Sequence, residues 1–509
     1  MKTKQPHAKA FCLTLALFLA IAPAGLYAGG NKARSSGGVS GSAELRFGLM
    51  TEPSTLDPLS PSNTADGRSV LFNVFEGLLK PDTEGNVEPA AAEKFSLNES
   101  GRVYTFTLRE GLLFHNGKPV SSADAAFTIR AAIDAQFADF SLIDRIDTPD
   151  SRTIRITLKS PDPEFLSNLT IGIVPKDNPD RERNPVGTGP FIIESYTAQQ
   201  NLVLVKNPNY WKKGYPKLDK VTVVFSSGSD ALLLGLQGGN FDGATIPGSL
   251  LPQLDRNRFD VFPGYSASIQ LLALNNSVKP LDDPRIRQAI NYGIDIQEII
   301  DAAFYGEGEG SGSPLIPGLV RSYETSLKNP YPINIEKAKS LLREAGYPNG
   351  FNLEITVPSV YVMHVDTAQV MVNQLSKIGV NASIKLVDWA AWLSGVYRGR
   401  QFQSTVISLD ANSISPRAFL SRYRSDSGSN FINYKNPAYD RTYDLCLTEI
   451  NDQRRAALYK EAQRIVSSDA ASVYIQDILG FKVFTKGRFS GVLNYPLYVI
   501  DFSTIELKQ

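Results

Sequence analysis

The stretch NIEKAKSLLREAGYPNGFNLEITV, Asn334 to Val357, decides how the chain is built. Asn334 is a helix cap and Gly346 a helix stop, so the spacing predicts one helix between them. FNLEITV, from Phe351, then reads as a strand. The pattern repeats at once: Val365 to Ile378 reads as a helix ended by Gly379, and NASIKLV as the next strand. Upstream, DDPRIRQAINYGI sets an aspartate cap before a proline at the first helical position. Downstream, helices near Tyr439 to Glu449 and Asp452 to Asp469 precede strands in SVYIQD, FKVFT and STIEL. This alternation predicts an α/β architecture.

The first half has the same texture. ELRFGLM, VYTFTLR, TIRITLK, LVLVKN and KVTVVF alternate apolar and polar residues as half-buried strands do. Between them, Ser122 to Gln136 reads as a helix capped by Ser121 or Ser122, with Ala126, Ile129, Arg130 and Ile133 at helical spacing. No repeat of 20 to 50 residues is visible, which argues against a solenoid.

The chain has 509 residues, 42% hydrophobic and 20% charged, enough for more than one core. Fifty-two basic residues balance fifty-two acidic ones, so no overall field favours nucleic acid or an anionic membrane. At the start, Lys2, Lys4 and Lys9 precede AFCLTLALFLAIAPA, with small residues suited to cleavage after Ala28. This predicts a signal peptide over 1–28, because the apolar run is shorter than the roughly 20 residues of a spanning helix. Ala10 and Phe11 before Cys12 do not suit lipid attachment, so no lipid anchor is expected. A Gly/Ser-rich linker follows over 29–43. Cys446 is then the one remaining cysteine, read as a small apolar side chain on a helix face.

Catalytic parts are few. The three histidines, His7, His115 and His364, are too scattered for a multi-histidine zinc site. There is no GxSxG elbow, and YGEGEGSGSPLIPG fits neither common phosphate-loop spacing, so it reads as a loop. His115, beside the Asn116-Gly117 turn, reads as structural. His364 stands where a strand gives way to a helix, and both a ligand contact and a structural role are open. No catalytic residue, cofactor or metal site is expected.

An ordered series of phrases narrows the reading. STLDP, FEGLLKPDTEGNVEPAAAEKF, YTFTLREGLLFHNGKPVSSADAAFT, NPVGTGPF and VKNPNYWKKGYPKLDKV are followed by KPLDDPRIRQAINYGID, QLSKIGVNASIKLVDWAAW and NYKNPAYDRTYDLCLTEINDQRRAALYKEAQRIV. Together they resemble family 5 extracytoplasmic solute-binding proteins, the peptide and nickel group of ABC importers, over nearly all of Glu44 to Lys508. The resemblance implies a two-lobed Venus flytrap of the cluster C type. Lobe I would take 44–265, with an extra subdomain over about 60–185, and regain the chain at 481–509; lobe II would take 266–480. It implies a monomeric periplasmic receptor that closes on a peptide-like solute and delivers it to an inner-membrane permease. An oligosaccharide or metal-chelate receptor is the alternative within that fold, and a secreted hydrolase or chaperone the alternative outside it.

The resemblance also implies where the solute is held. GYSASIQLLALN, Gly264 to Asn275, resembles the hinge-crossing strand, making Tyr265, Ser266 and Ser268 candidates at the cleft floor. In peptide-binding members the loop matching Ser408 to Pro416 carries a tryptophan and, four residues before the proline, an aspartate that pairs with the peptide ammonium. Here Leu409 and Asn412 fall at those positions, with Asp410 as the acid that could substitute. An asparagine carries no charge to offset desolvation of an ammonium. Dipeptide-type members place an arginine before a Pro-Tyr pair; here Ser359 stands near that position, and Tyr361 and His364 are the contact candidates. Asn63 matches a cleft-edge loop or is an ordinary turn residue. Trp389 and Trp392, three apart at a helix start, are expected to pack inside; stacking on sugar rings is the alternative.

Overall fold

The computed structural model describes residues 42–508 apart from 51, 64, 138, 139, 265, 266, 412 and 498. The expected signal peptide and most of the linker therefore lie outside the described residues. The capped helices form as their end residues dictate. Asn334 accepts a hydrogen bond from Lys337 N at the start of Ile335–Glu344, and Gly346 follows at a φ of +89°. Asp283 accepts from Arg285 N at the start of Pro284–Tyr292, with proline in the first turn. The helix Ser122–Asp134 opens with Ser121 and Asp124 bonding each other's backbone.

Two boundaries differ from expectation. The helix expected from Val365 runs Val362–Ser376, because Tyr361 O already accepts from His364 N at 2.9 Å and from Val365 N at 3.3 Å. STIEL contributes only the strand Glu506–Leu507, paired with Phe489–Ser490; the segment before it is taken up by the Asp501 carboxylate, which accepts from Ser503 N.

Two sheets dominate. The first is seven-stranded, in the order Phe259–Gly264, Gly480–Thr485, Gly243–Pro247, Glu44–Leu49, Lys220–Phe225, Asn201–Lys206 and Phe191–Thr197. The second is six-stranded: Glu309–Gly310, Ser472–Asp477, Ser268–Leu274, Ser404–Asp410, Asn352–Pro358 and Asn381–Val387. Helices cover both faces of the second sheet. Ile286, Leu342 and Met371 pack on one side with Leu272 and Val406, and Tyr439, Tyr459 and Val466 on the other with Leu271 and Ile407. All seven residues of Ser268–Leu274 are consequently buried, as a strand covered on both faces requires. A separate four-stranded sheet, Ala92–Leu97, Val103–Leu108, Thr153–Leu158 and Ile143–Asp147, has its own core with the helix Ser122–Asp134.

The chain passes between the two large sheets twice, from Gly264 to Ser268 and from Asp477 to Gly480. Strand direction then fixes which ends meet. In the first sheet Gly264 and Pro247 both stand opposite Gly480, and Leu49 pairs in parallel with Phe225. In the second sheet Ser268 stands opposite Asp410, and Pro358 pairs in parallel with Val387. Ser268, Asp410, Pro358 and Val387 therefore share the end of the second sheet that is joined to the Gly264 end of the first.

Candidate functional site

The joined ends of the two sheets form the site. On the second sheet, the turn after Pro358 and the helix start at Val362 lie beside the turn after Val387, which carries Trp389. The two tryptophan rings stack 5.1 Å apart and 5° from parallel, and Tyr361 meets Trp389 edge-on at 5.5 Å. Trp392 is buried, as its spacing predicts, and donates Nε1–H to Thr405 Oγ1 at 2.9 Å. Trp389 is not: it is 38% exposed, although Trp392 stacks on its ring. Asp388 holds this turn by accepting from Ala391 N at 2.8 Å.

Of the sequence-expected contacts, Asp410 is exposed, and its carboxylate has no hydrogen bond or ion pair among the described residues. Tyr361 is also exposed, at the tip of its turn. Ser268 is buried and acts through its backbone: its N–H donates to Asp477 Oδ1 at 3.3 Å, and its carbonyl accepts from Ile478 N at 3.3 Å. The two crossings are thereby tied to each other. Asn63 is buried too, at the end of the loop that leaves Leu49; its carbonyl accepts from Arg68 at 2.6 Å and its Oδ1 has no hydrogen-bond partner among the described residues. Tyr265, Ser266 and Asn412 lie outside the described residues.

His364 stands behind Tyr361, 3% exposed, rather than on the surface. Gln270 Nε2 lies 3.1 Å from its Nδ1 and donates to Thr367 Oγ1 at 3.0 Å, while Gln476 Nε2 donates to Gln270 Oε1 at 3.0 Å. With the Gln270 amide as donor, His364 Nδ1 is the acceptor and the ring is neutral. Burial holds its pKa down at about 4, consistent with that state. Burial likewise holds His115 at about 4, between Gly187 N and Gly189 O, the structural role its turn predicted. Cys446 is buried, and burial raises its thiol to about 12, leaving it a packing group.

A second set of contacts spans the molecule. Asp162 and Glu164 begin a helical turn, Pro163–Thr170, that packs with the four-stranded sheet through Phe165 and Leu169. Arg417 Nη1 lies 2.9 Å from Asp162 Oδ2, and Arg455 Nε 3.3 Å from Glu164 Oε1. Ser415 Oγ donates to Glu164 as well. Burial raises the Glu164 pKa against the pull of these partners. Ser415 and Arg417, at the end of the Ser408 to Pro416 loop expected to hold the solute, are thus anchored beyond their own sheet. Sequence reading missed these ties, since nothing in a linear chain pairs position 162 with 417. It also missed the exposed Val360, Val362 and Met363, though an apolar run where a polar helix cap belongs is a usable signal.

Two α/β sheets joined end to end by two short crossings, with an exposed acid and exposed aromatic rings at the joined ends, define a two-lobed binding protein that can bend at its hinge. The chain belongs to the bacterial extracellular solute-binding proteins, family 5, whose pattern matches residues 86–431, more than half its length. It is 28% identical over 455 residues to heme-binding protein A of Haemophilus influenzae, covering 81% of this chain and 82% of that one. It is 28% identical over 471 residues to the glutathione-binding protein GsiB of Salmonella typhimurium, covering 86% and 91%. Among solved structures, the periplasmic binding protein DppA of Helicobacter pylori, in complex with peptide STSA, is 26% identical with a TM-score of 0.71, covering 92% of this chain and 98% of that one. The fold expected from the family phrases, a two-lobed periplasmic-binding-protein architecture, is the one observed.

Proposed function

We propose that the protein is the periplasmic receptor of an ABC importer and captures a peptide-like solute between its lobes. The observation that carries this is the Asp410 carboxylate, exposed at the hinge-joined end of the second sheet with no hydrogen bond or ion pair among the described residues. An acid without a partner at the mouth of a hinged cleft is suited to a solute ammonium group, because a charge-assisted bond is about twice as strong as a neutral one. Asp410 then does the work that Asn412, at the family's usual acid position, cannot. The relatives that bind glutathione and a tetrapeptide support the solute class.

In this reading lobe I comprises 44–265 and 481–509, with the subdomain over about 60–185, and lobe II comprises 266–480. Residues 1–28 direct export and are removed. The output is binding without covalent change, followed by delivery to a membrane permease. Ligand contacts to both lobes favour the closed state by their difference in affinity for closed and open forms.

A thermal-shift panel of free peptides, end-blocked peptides, maltooligosaccharides and nickel–histidine tests this. A solute at 100 times its Kd raises stability by about 2.7 kcal/mol, a clear rise in Tm. A rise with free peptides is expected. A rise with a saccharide and none with any peptide overturns the peptide reading.

A further inference from the structure

The joined sheet ends carry more exposed apolar surface than a closing hinge needs. Met50 follows the first-sheet strand Glu44–Leu49 and is 50% exposed. At the joined end of the second sheet, Val360, Tyr361, Val362, Met363 and Trp389 are all exposed, Val362 at 67%. Solvated helix starts favour small polar caps and acids; Tyr361 occupies the cap position and makes no side-chain cap bond. Contiguous exposed apolar groups of this kind mark a binding surface rather than a solvated face.

What covers the rim follows from its place and its charge. It continues the same sheet end that presents Asp410, so a solute held by that acid lies along it. Neither 358–364 nor 386–396 contains a lysine or arginine, so the rim offers a solute carboxylate no cation. It offers instead the partly exposed ring of Trp389, backed by Trp392, and the exposed Tyr361. Aromatic pairs at such spacings gain beyond simple area burial.

We propose that this rim is a subsite for an aromatic or large aliphatic group of the solute, so that the receptor selects peptide-like solutes with bulky apolar side chains over small ones. The inference rests on the peptide reading above and adds its selectivity. Val362, Met363 and Trp389 supply the apolar surface on the second sheet, and Met50, at the end of Glu44–Leu49, supplies it on the first.

Titration calorimetry with Ala-Phe-Phe-Ala and tetra-alanine tests it. The phenylalanine peptide is expected to bind about tenfold tighter or more, the gain from burying aromatic surface. In Trp389→Ala that ratio falls toward one, because the phenylalanine peptide loses its aromatic contact. In the unaltered protein the phenylalanine peptide shifts tryptophan emission, and in Trp389→Phe the shift is lost. Equal affinity for the two peptides overturns this inference and leaves the peptide reading standing. Binding of neither peptide, with a thermal shift from maltotriose, overturns both. A dimer in sedimentation that Val362→Ser dissolves, with no peptide preference, assigns the rim to a second copy and also overturns the inference.

Discussion

Arg417 and Asp162, 255 residues apart, form an ion pair with Nη1 2.9 and 3.0 Å from the two carboxylate oxygens, and the Asp162 side chain is 3% exposed. The pair joins the turn beside the four-stranded sheet to the segment that leaves the second large sheet. Its neighbour, Arg455 with Glu164 and Ser415, repeats the connection. On the other side, Ala411 N donates to Ala267 O at 3.0 Å and Arg422 to Asp410 O at 2.8 Å, while Ser415 and Arg417 reach Glu164 and Asp162. The segment proposed to meet the solute is therefore tied both to its own sheet and to the Pro163–Thr170 turn.

Breaking one partner of that pair leaves a buried charge uncompensated, so Arg417→Met should destabilise by about 3 kcal/mol in urea unfolding. Combining it with Asp162→Asn should recover most of the loss, because the orphaned carboxylate is gone. A double variant as unstable as the sum of the singles would show that the two residues do not interact.

His364 makes a pH prediction. Its pKa is held down at about 4 in the folded protein against about 6.5 when unfolded, so the unfolded chain binds more protons in between. The stability it contributes is complete above pH 6.5 and is lost as pH falls toward 4, by up to about 1.4 kcal/mol per unit. The loss also has a local cause, since a protonated Nδ1 would point a donor at the Gln270 amide donor. His364→Phe should flatten the stability profile over that window relative to the unaltered protein. Parallel profiles would place His364 in a wetter site than described.

Asp410→Asn should weaken binding of Ala-Phe-Phe-Ala by about tenfold, the loss expected when an ammonium keeps a hydrogen bond but loses its charge partner. N-acetyl Ala-Phe-Phe-Ala, lacking the ammonium, should bind both proteins alike in calorimetry. An equal loss for the acetylated peptide would assign Asp410 a purely structural role.

Gly346 and Gly350 separate two costs of replacing glycine. Both have positive φ, but a methyl at Gly346 meets open space, whereas one at Gly350 collides with the Gly379 carbonyl. Gly346→Ala should cost about 1 kcal/mol, the conformational penalty alone. Gly350→Ala should cost about 2 kcal/mol more, with the difference read from urea midpoints.

The fold was legible where local chemistry decides it. The Asp283-Pro284 start, the Asn334 and Gly346 helix ends and the alternating strands all formed where their residues point, and the ordered family phrases identified the family and its two-lobed fold. What was not legible depends on distant partners. Trp389 and Trp392 have the same spacing on one helix face, yet only packing tells which ring is covered. His364 is neutral and hidden because Gln270, 94 residues away, bonds it. Likewise, the apolar run at 360–363 is plain in sequence, but whether other side chains cover it is a property of the assembled fold.

The central claim, a hinge that closes on a peptide, is tested most directly by electron–electron spin distances between labels at Ser227→Cys and Leu386→Cys. Both positions are exposed, Ser227 just past the strand Lys220–Phe225 and Leu386 near the end of the strand Asn381–Val387, and Cys446 is buried. Saturating Ala-Phe-Phe-Ala should shift the distance distribution to a shorter, narrower peak. An unchanged distribution with the peptide bound would contradict the account.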